Sequence, residues 1–293
     1  MQYLENVLGK DNSFWKYVTV ILVTIIAIQF SGIFSETLSD LELSENFTFI
    51  LKLFPFVVGM VTLWLLVGGM HKRSFSTTVN GSESVRWTHV ISGFSFWFLL
   101  MLVFFAIRYI INPDNFTIQF DSSKFIPLLV ITLFLIPIQT TFEEYMFRGY
   151  LAQGVAAWTK NRWLVIFIPG LLFGLAHYTN TEVAKYGFWM AIPQYIIFGL
   201  FFGLVAVLDD GIELPVGIHA AHNMFVCLFI TNDASTLRTP SIFRCGEVSP
   251  LAEIVISLMA TTVAVLFFYC KYKWKLNIIN IKITNSNYAE QTV

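Results

Sequence analysis

Three short groups of polar, ionisable side chains interrupt the apolar segments between residues 143 and 223. In the first group, Glu144 and Arg148 are four residues apart, share one face of a helix and can form an ion pair. Glu143 points about 100° away around the helix. The ion pair therefore leaves Glu143 free to take up a proton. The alternative is that these residues form a solvated helix cap with no chemical role.

The other two groups contain three of the five histidines. His177 ends one apolar segment, while His219, His222 and Asn223 stand near the start of another. His219 and Asn223 are four residues apart and share a helix face. Imidazoles near an uncompensated carboxylate are typical of metal binding or proton transfer. The same side chains would also serve to hold helices together by hydrogen bonds.

Peptide hydrolysis is one reaction that this set of residues supports, because it needs a base, an activated water and an electrophile for the developing oxyanion. Two imidazoles and a carboxylate with an open position also make a catalytic zinc site, and zinc would supply the water and the electrophile. Asn is a poorer zinc ligand than a carboxylate. We therefore expect Asn223 to bind the oxyanion, or to hydrogen-bond to a zinc ligand, rather than to bind zinc itself. His222 lies about 60° around the helix from His219, and we expect it too to support a zinc ligand rather than to bind zinc.

The composition is that of an integral membrane protein. Of the 293 residues, 56% are hydrophobic and 13% are charged, and the mean hydropathy is +0.68. A soluble fold of this length would not bury so much apolar surface, which excludes a soluble enzyme, a disordered chain and a disulfide scaffold. The net charge of −1 gives no basic surface for nucleic acid. The three cysteines share no metal-type spacing.

Long apolar segments predict an all-α, polytopic membrane protein with a bundle of about eight transmembrane helices. We place the spans at 14–34, 48–70, 89–111, 125–147, 163–179, 187–208, 212–231 and 251–270. Residues 1–293 are expected to form a single membrane domain, with the polar groups in a core at about 125–231. A mobile polar tail is expected at about 280–293.

The positions of Lys and Arg predict which loops face the cytoplasm. The amino-terminal segment, the loops at 71–88, 159–162 and 209–211, and the carboxy-terminal tail carry 11 Lys and Arg residues. The loops at 35–47, 112–124, 180–186 and 232–250 carry 4. The first set is therefore predicted to be cytoplasmic, with both termini inside.

The three polar groups do not lie at one depth if every helix is straight and normal to the membrane. At a rise of 1.5 Å per residue, Glu143 is about 28 Å from the outer end of its helix and His219 only about 9 Å from the inner end. They approach each other if the fourth helix is tilted and continues through 150–158, and if Pro169-Gly170 bends the fifth. We then expect a site in the inner half of the membrane that opens to the cytoplasm.

The order and spacing of the polar groups resemble the motifs of one family. The matching patterns are Glu143-Glu144-x-x-x-Arg148, Phe173-x-x-x-His177 and His219-x-x-x-Asn223. They resemble the CPBP family, which comprises the type II CAAX prenyl endopeptidases and the bacterial bacteriocin-processing or self-immunity proteins of the Abi group. The resemblance covers about 125–231.

The resemblance implies intramembrane proteolysis by the six polar residues of these motifs. Glu143 would be the general base that activates water. His177, His219 and Asn223 would hold a zinc-like ion, to which Glu143 is a further possible ligand, or would hold the water and the oxyanion directly. Glu144 and Arg148 would position the site.

The expected function is therefore that of a CAAX-protease-like membrane metalloendopeptidase acting on a membrane-associated protein or peptide. Zn²⁺ is the expected cofactor, with a metal-free Glu/His mechanism as the alternative. Two other functions stay open: a non-catalytic immunity or scaffold protein, and a proton-coupled transporter, although the inverted repeat of many transporters is not evident. The expected surroundings are the lipid bilayer of a bacterial cytoplasmic membrane, with no nucleic-acid partner.

Overall fold

A computed structural model describes residues 2–39, 41 and 43–284, and its architecture is a bundle of α-helices. The helices are α1 (Phe14–Ser39), α2 (Glu45–His71), α3 (Phe75–Asn80), α4 (Trp87–Ile111), α5 (Ser122–Glu144), α6 (Ala152–Thr159), α7 (Arg162–Ala176), α8 (Thr181–Tyr186), α9 (Phe188–Leu208), α10 (Glu213–Phe229) and α11 (Pro250–Tyr272). Three short strands, β1 (Phe116–Ile118), β2 (Ile230–Thr231) and β3 (Phe243–Cys245), form a sheet in the order β1-β3-β2. Strand β3 pairs antiparallel with β1 and parallel with β2.

Each of the eight predicted spans contains a helix, which confirms the all-α polytopic prediction. Within the described residues, six helical stretches are long and apolar enough to cross a bilayer: Phe14–Leu38, Glu45–His71, Trp87–Ile111, Ser122–Thr159, Phe188–Leu208 and Pro250–Tyr272. Helices α7 and α10 have only 15 and 17 residues. At 1.5 Å per residue they are about 22 and 26 Å long, shorter than a hydrocarbon core of about 30 Å.

The fourth predicted span is much longer than a single crossing requires. Helix α5, a π-helical turn at Tyr145–Leu151 and helix α6 form one continuous stretch of 38 residues, Ser122–Thr159. This stretch is about 57 Å long, so it extends well beyond a hydrocarbon core of about 30 Å. The predicted continuation through 150–158 is therefore present, and the two glutamates lie well inside the stretch rather than at its end.

The loops meet in two sets, one at each end of the bundle. At the end that we term the basic face, Arg86 pairs with Glu213 at 2.6 Å and Arg162 pairs with Glu5 at 3.1 Å. At the other end, which we term the sheet face, the three strands assemble and the Thr181 hydroxyl donates to the carbonyl of Ala234 at 2.6 Å. These two sets of loops are the same as the two sets predicted from the order of the spans and the positions of Lys and Arg.

The beginning of the predicted mobile tail is packed against the basic face. The Ile283 side chain is fully buried, and its N–H donates to the carbonyl of Lys160 at 3.0 Å. The Ile281 carbonyl accepts a hydrogen bond from the Arg162 guanidinium. The rest of that predicted tail, 285–293, lies outside the described residues.

Helices α7 and α9 approach closely at paired glycines, and this approach shapes the site. A Cβ atom added to Gly170 would lie only 3.0 Å from the Gly199 carbonyl carbon and oxygen. A side chain at either position would therefore force the two backbones apart. The close approach brings the Gly199 carbonyl of α9 beside the π-helical turn of the long fourth stretch.

Candidate active site

The centre of the site is the ion pair between Glu144 and Arg148. Arg148 Nη1 lies 2.9 Å from Glu144 Oε1, and both side chains are almost fully buried, at 1% and 0% exposure. Glu144 is the last residue of α5, and Arg148 lies in the π-helical turn that follows. Single turns of π-helix inside α-helices are frequently found at functional sites. The pair predicted from the spacing of these two residues is therefore present.

Arg148 has three further kinds of neighbour, two at its guanidinium and one at its main-chain carbonyl. Its Nη2 donates to the Gly199 carbonyl at 3.0 Å. Its Cζ lies 4.3 Å from the centroid of the Phe173 ring and 5.2 Å from that of Phe202, which are cation–π distances. The Tyr3 hydroxyl donates to the main-chain carbonyl of Arg148. The charge is thus held in a fixed orientation by three helices, and the segment before α1 binds the backbone of the same residue.

Glu144 also fixes the orientation of His219 on α10. The Nδ1 atom of His219 lies 2.8 Å from Glu144 Oε1, and its ring stacks on Phe202 with a centroid distance of 5.1 Å. A carboxylate paired with arginine is an acceptor only, so His219 Nδ1 must carry a proton. His219 Nε2 is then directed at Glu143, with 3.6 Å between Nε2 and Glu143 Oε2.

Glu143 has one oxygen engaged and one oxygen free. Its Oε1 accepts a hydrogen bond of 2.6 Å from Gln139 Nε2. The oxygen of the Gln139 amide in turn accepts a hydrogen bond of 2.9 Å from Asn223 Nδ2. Glu143 Oε2 is buried and has no hydrogen-bond partner among the described residues. A buried, unpartnered carboxylate oxygen beside an imidazole nitrogen is a place for a polar molecule such as water.

Gln139 is a site residue that the sequence analysis did not single out. It lies one helical turn before Glu143, and on the sequence alone it is an ordinary polar residue within a span. Its four-residue spacing from Glu143 was the available signal, because residues at that spacing are neighbours on a helix. Its second contact, with Asn223 on α10, depends on tertiary packing.

His177 lines the same cavity as Glu143 and His219. It follows the last residue of α7, where its Nδ1 lies 2.7 Å from the Phe173 carbonyl and its ring stacks on Tyr195 at 4.3 Å. The Phe173 ring contacts both imidazoles, with centroid distances of 4.7 Å to His177 and 5.9 Å to His219. Phe173 thus touches both histidines.

His222 faces a different neighbour from His219. Its Nδ1 accepts a hydrogen bond of 3.4 Å from Trp97 Nε1, and its ring packs against Phe198 at 4.8 Å. These contacts hold the ring on the α4 and α9 side of the cavity. The structure therefore brings His219, rather than His222, to the two carboxylates.

The donor set for a metal ion is incomplete in this arrangement. Among the described residues, no group of three or more His, Cys, Asp or Glu side chains is arranged to hold a metal. Two donor atoms do face each other, Glu143 Oε2 and His219 Nε2. The carboxylate on the other nitrogen of His219 is the kind of partner that metal-binding histidines have. A tetrahedral zinc site needs three protein ligands, so the residues as placed do not fit zinc.

A cavity of about 710 Å³ connects this site to the sheet face. Its deep end is lined by Glu143, His177, His219 and Asn223, and it continues along α10 as far as Ile230. Its outer lining includes Asn180, Thr181, Asn232 and Thr236 from the loops of the sheet face. The prediction that the site opens on the same face as the termini is wrong. Residues from the beginning of the chain and α3 pack beneath the site and close it on the basic side.

Comparison with known proteins agrees with this set of residues. The profile of the family described as "Type II CAAX prenyl endopeptidase Rce1-like" matches residues 122–225, which include every polar residue of the site. The chain is 35% identical over 271 residues to the uncharacterized protein YyaK of Bacillus subtilis (strain 168), covering 88% of this chain and 87% of that protein. The chain belongs to the CPBP family. No solved structure matches it.

Membership of the CPBP family confirms the resemblance that the three motifs indicated. The family is one of CAAX-type intramembrane proteases, and the apolar helices make this chain an integral membrane protein. In this CPBP chain the motif residues fall into two groups. Glu143, Glu144, Arg148 and His219 form one contiguous cluster, with Asn223 joined to it through Gln139. His177 is joined to this cluster through Phe173, whose ring contacts both imidazoles.

The buried ion pair gives a prediction about stability. Glu144→Gln leaves the Arg148 charge buried without its counter-ion, and breaking a buried pair in this way costs about 3–5 kcal/mol. We expect a clearly lower melting temperature in detergent than for the parent chain. Combining Glu144→Gln with Arg148→Met removes both charges and should recover most of the loss. A single variant that melts like the parent would contradict the central place of the pair.

Proposed function

We propose that this protein is an intramembrane endopeptidase that hydrolyses a peptide bond of a membrane-associated protein or peptide. The observation that carries the proposal is the unpartnered oxygen of Glu143, buried at the base of a cavity and 3.6 Å from His219 Nε2. Family membership supports the same reaction class. The matching protein from Bacillus subtilis supports a bacterial cytoplasmic membrane as its location.

In the proposed mechanism, Glu143 takes a proton from a water molecule held between its Oε2 and His219 Nε2. The water oxygen bonds to the carbonyl carbon of the substrate, and the carbonyl electron pair moves onto its oxygen. Asn223 borders this space, and the N–H of its amide that is not donated to Gln139 would donate to the resulting oxyanion, while His219 Nε2 accepts a hydrogen bond from the water. When the C–N bond breaks, the proton passes from Glu143 to the leaving nitrogen.

The remaining polar residues position the base and the histidine. Glu144 holds His219 in the tautomer and orientation that direct Nε2 at Glu143. Arg148 pairs with Glu144 and holds it in place. Gln139 holds Oε1 of Glu143 and leaves Oε2 to face the water. In this mechanism Glu144, Arg148 and Gln139 act through their neighbours rather than on the substrate.

Loss of the base is the direct test of the proposed reaction. Glu143→Gln removes proton abstraction, so we expect cleavage of membrane-embedded peptides to slow by about 10²–10⁴-fold. Products would be read by mass spectrometry from a reconstituted peptide library. Glu247→Gln, which alters an exposed carboxylate on the sheet face, is the matched control and should cleave normally. An unaffected rate in the folded Glu143→Gln variant would favour a non-catalytic immunity or scaffold role.

Gln139 gives a second prediction, which separates positioning from folding. Gln139→Leu removes the hydrogen bond to Glu143 without removing side-chain volume. A misplacement of about 1 Å can cost about 10²-fold in rate, so we expect a fall in kcat of about 10–100-fold with KM unchanged. Thr140→Val removes a buried hydroxyl one residue away that bonds only within the helix, and it should leave kcat as it is. Equal losses in both variants would indicate a folding defect instead.

Zinc is the alternative to this metal-free route, although only two donor atoms face each other among the described residues. A bound zinc ion would polarise the substrate carbonyl and lower the pKa of its water. The Glu143–His219 route needs no metal, so we expect far less than one zinc per purified chain. About one zinc per chain, lost in both His177→Ala and His219→Ala, would contradict that expectation and establish the metal-dependent version.

A further inference from the structure

We propose that the substrate reaches the site from the sheet face, and that this face lies outside the cytoplasm. The substrate would then be an extracytoplasmic polypeptide segment rather than a prenylated cytoplasmic carboxy-terminus. This inference rests on the proposed endopeptidase function, because a substrate exists only if the protein is an enzyme. The route itself is a property of the fold and can be measured without any activity.

The basic face is closed beneath the site by residues from the start of the chain. Tyr3, Leu4 and Val7 are buried, with exposures of 2% or less. The Tyr3 hydroxyl donates to the Arg148 carbonyl, and the Tyr3 carbonyl accepts from Gln153 Nε2 at 3.0 Å. This segment therefore fills the space directly below the buried ion pair.

Two further contacts hold that closure in place. The Asp210 carboxylate accepts hydrogen bonds from the backbone N–H groups of Gln2 and Tyr3, at 2.8 and 3.1 Å. Helix α3 lies beside the segment, and its Phe75 ring stacks on Tyr145 of the π-helical turn at 5.0 Å. A peptide arriving from the basic face would have to displace these contacts to reach Glu143.

The sheet face, in contrast, offers a continuous path to Glu143. The cavity lining follows α10 from His219 to Val226, which is about 10 Å of helix, and reaches Ile230 just beyond the helix. Its wall changes along that path from aromatic rings to the polar side chains of the sheet-face loops. Glu36 and Lys52 line its outer part and are exposed. An extended peptide would thus find polar partners for its backbone outside and apolar pockets for its side chains inside.

The charge distribution assigns the sheet face to the outside. The loops of the basic face carry 11 Lys and Arg residues, against 4 in the loops of the sheet face. Adding Lys52 and Arg108, which lie within spans near the sheet face, raises the second number only to six. Short loops rich in Lys and Arg stay in the cytoplasm. The closed face is therefore the cytoplasmic one, and the open face is the external one.

Cysteine labelling in intact bacterial cells tests this route. The full chain would carry Cys270→Ser to remove the exposed native thiol, plus one new cysteine at a time. Thr181→Cys lies at the outer part of the cavity, Val226→Cys within it, and Glu83→Cys on the basic face. The probe is a membrane-impermeant, positively charged methanethiosulfonate. Lys185→Cys on α8 reports the sheet face independently if the Thr181 variant does not fold.

We expect the variants at Thr181, Lys185 and Val226 to be modified in intact cells, and the variant at Glu83 only after the membrane is permeabilised. Modification of Glu83→Cys in intact cells, with protection of the sheet-face variants, would overturn the orientation. Protection of Val226→Cys while Thr181→Cys is modified would overturn the route through the cavity. The labelling is repeated in the Glu143→Gln background. Its outcome therefore stands whether or not that variant abolishes cleavage.

The substrate side is then tested in oriented proteoliposomes. A peptide that the reconstituted protein cleaves in detergent is supplied on one side only. Cleavage at least tenfold faster from the sheet-face side supports the inference. Equal or faster cleavage from the basic-face side would overturn it, even if the labelling shows an open cavity.

Discussion

The structure depends on one buried ion pair in the middle of an apolar bundle. A charge inside a bilayer costs about 2.5–3.5 kcal/mol on the insertion scale, and more on an isolated helix. Glu144 and Arg148 neutralise each other, and the Gly199 carbonyl and the Phe173 ring take up the remaining faces of the guanidinium. These partners come from different helices. Helices α5, α7 and α9 are therefore arranged so that each supplies a partner to this arginine, and α10 joins them through His219 and Glu144.

Because of this ion pair, the two adjacent carboxylates of Glu143 and Glu144 have different roles. Glu144 is committed to Arg148 and His219, and so acts as a fixed negative charge. Each carboxylate keeps one oxygen without a hydrogen-bond partner among the described residues, but Glu143, one residue earlier, lines the cavity and Glu144 does not. Neighbouring carboxylates with different surroundings take different chemical roles. The spacing of two glutamates and an arginine is thus enough to create both a structural anion and a base.

Local features of this fold are predictable from the sequence. Apolar length predicts the helices, and four-residue spacing predicts the contact between Glu144 and Arg148, because both rules act within one helix. The continuation of the fourth helix follows from the need to bring Glu143 and His219 to one depth. That His219, rather than His222, meets the carboxylates depends on which way α10 is rotated in the bundle.

Features that depend on distant packing are not predictable in this way. The direction of the cavity was predicted wrongly, because Tyr3 closes the basic face from a position 145 residues away from Arg148 in the chain. The four-residue spacing of Gln139 from Glu143 is visible in the sequence, but the contact that joins Gln139 to Asn223 on another helix is not. Hydrophobic periodicity carries no information about either contact. His177 illustrates the same limit, since its connection through Phe173 to His219 depends on how α7 packs against α10.

The most direct test of the account is a structure of the Glu143→Gln variant in a lipid nanodisc with an uncleaved peptide bound. The account predicts that the scissile carbonyl lies between position 143 and His219 Nε2, with the peptide running along α10 to the sheet face. A peptide bound at the basic face, or a scissile carbonyl remote from both residues, would contradict it.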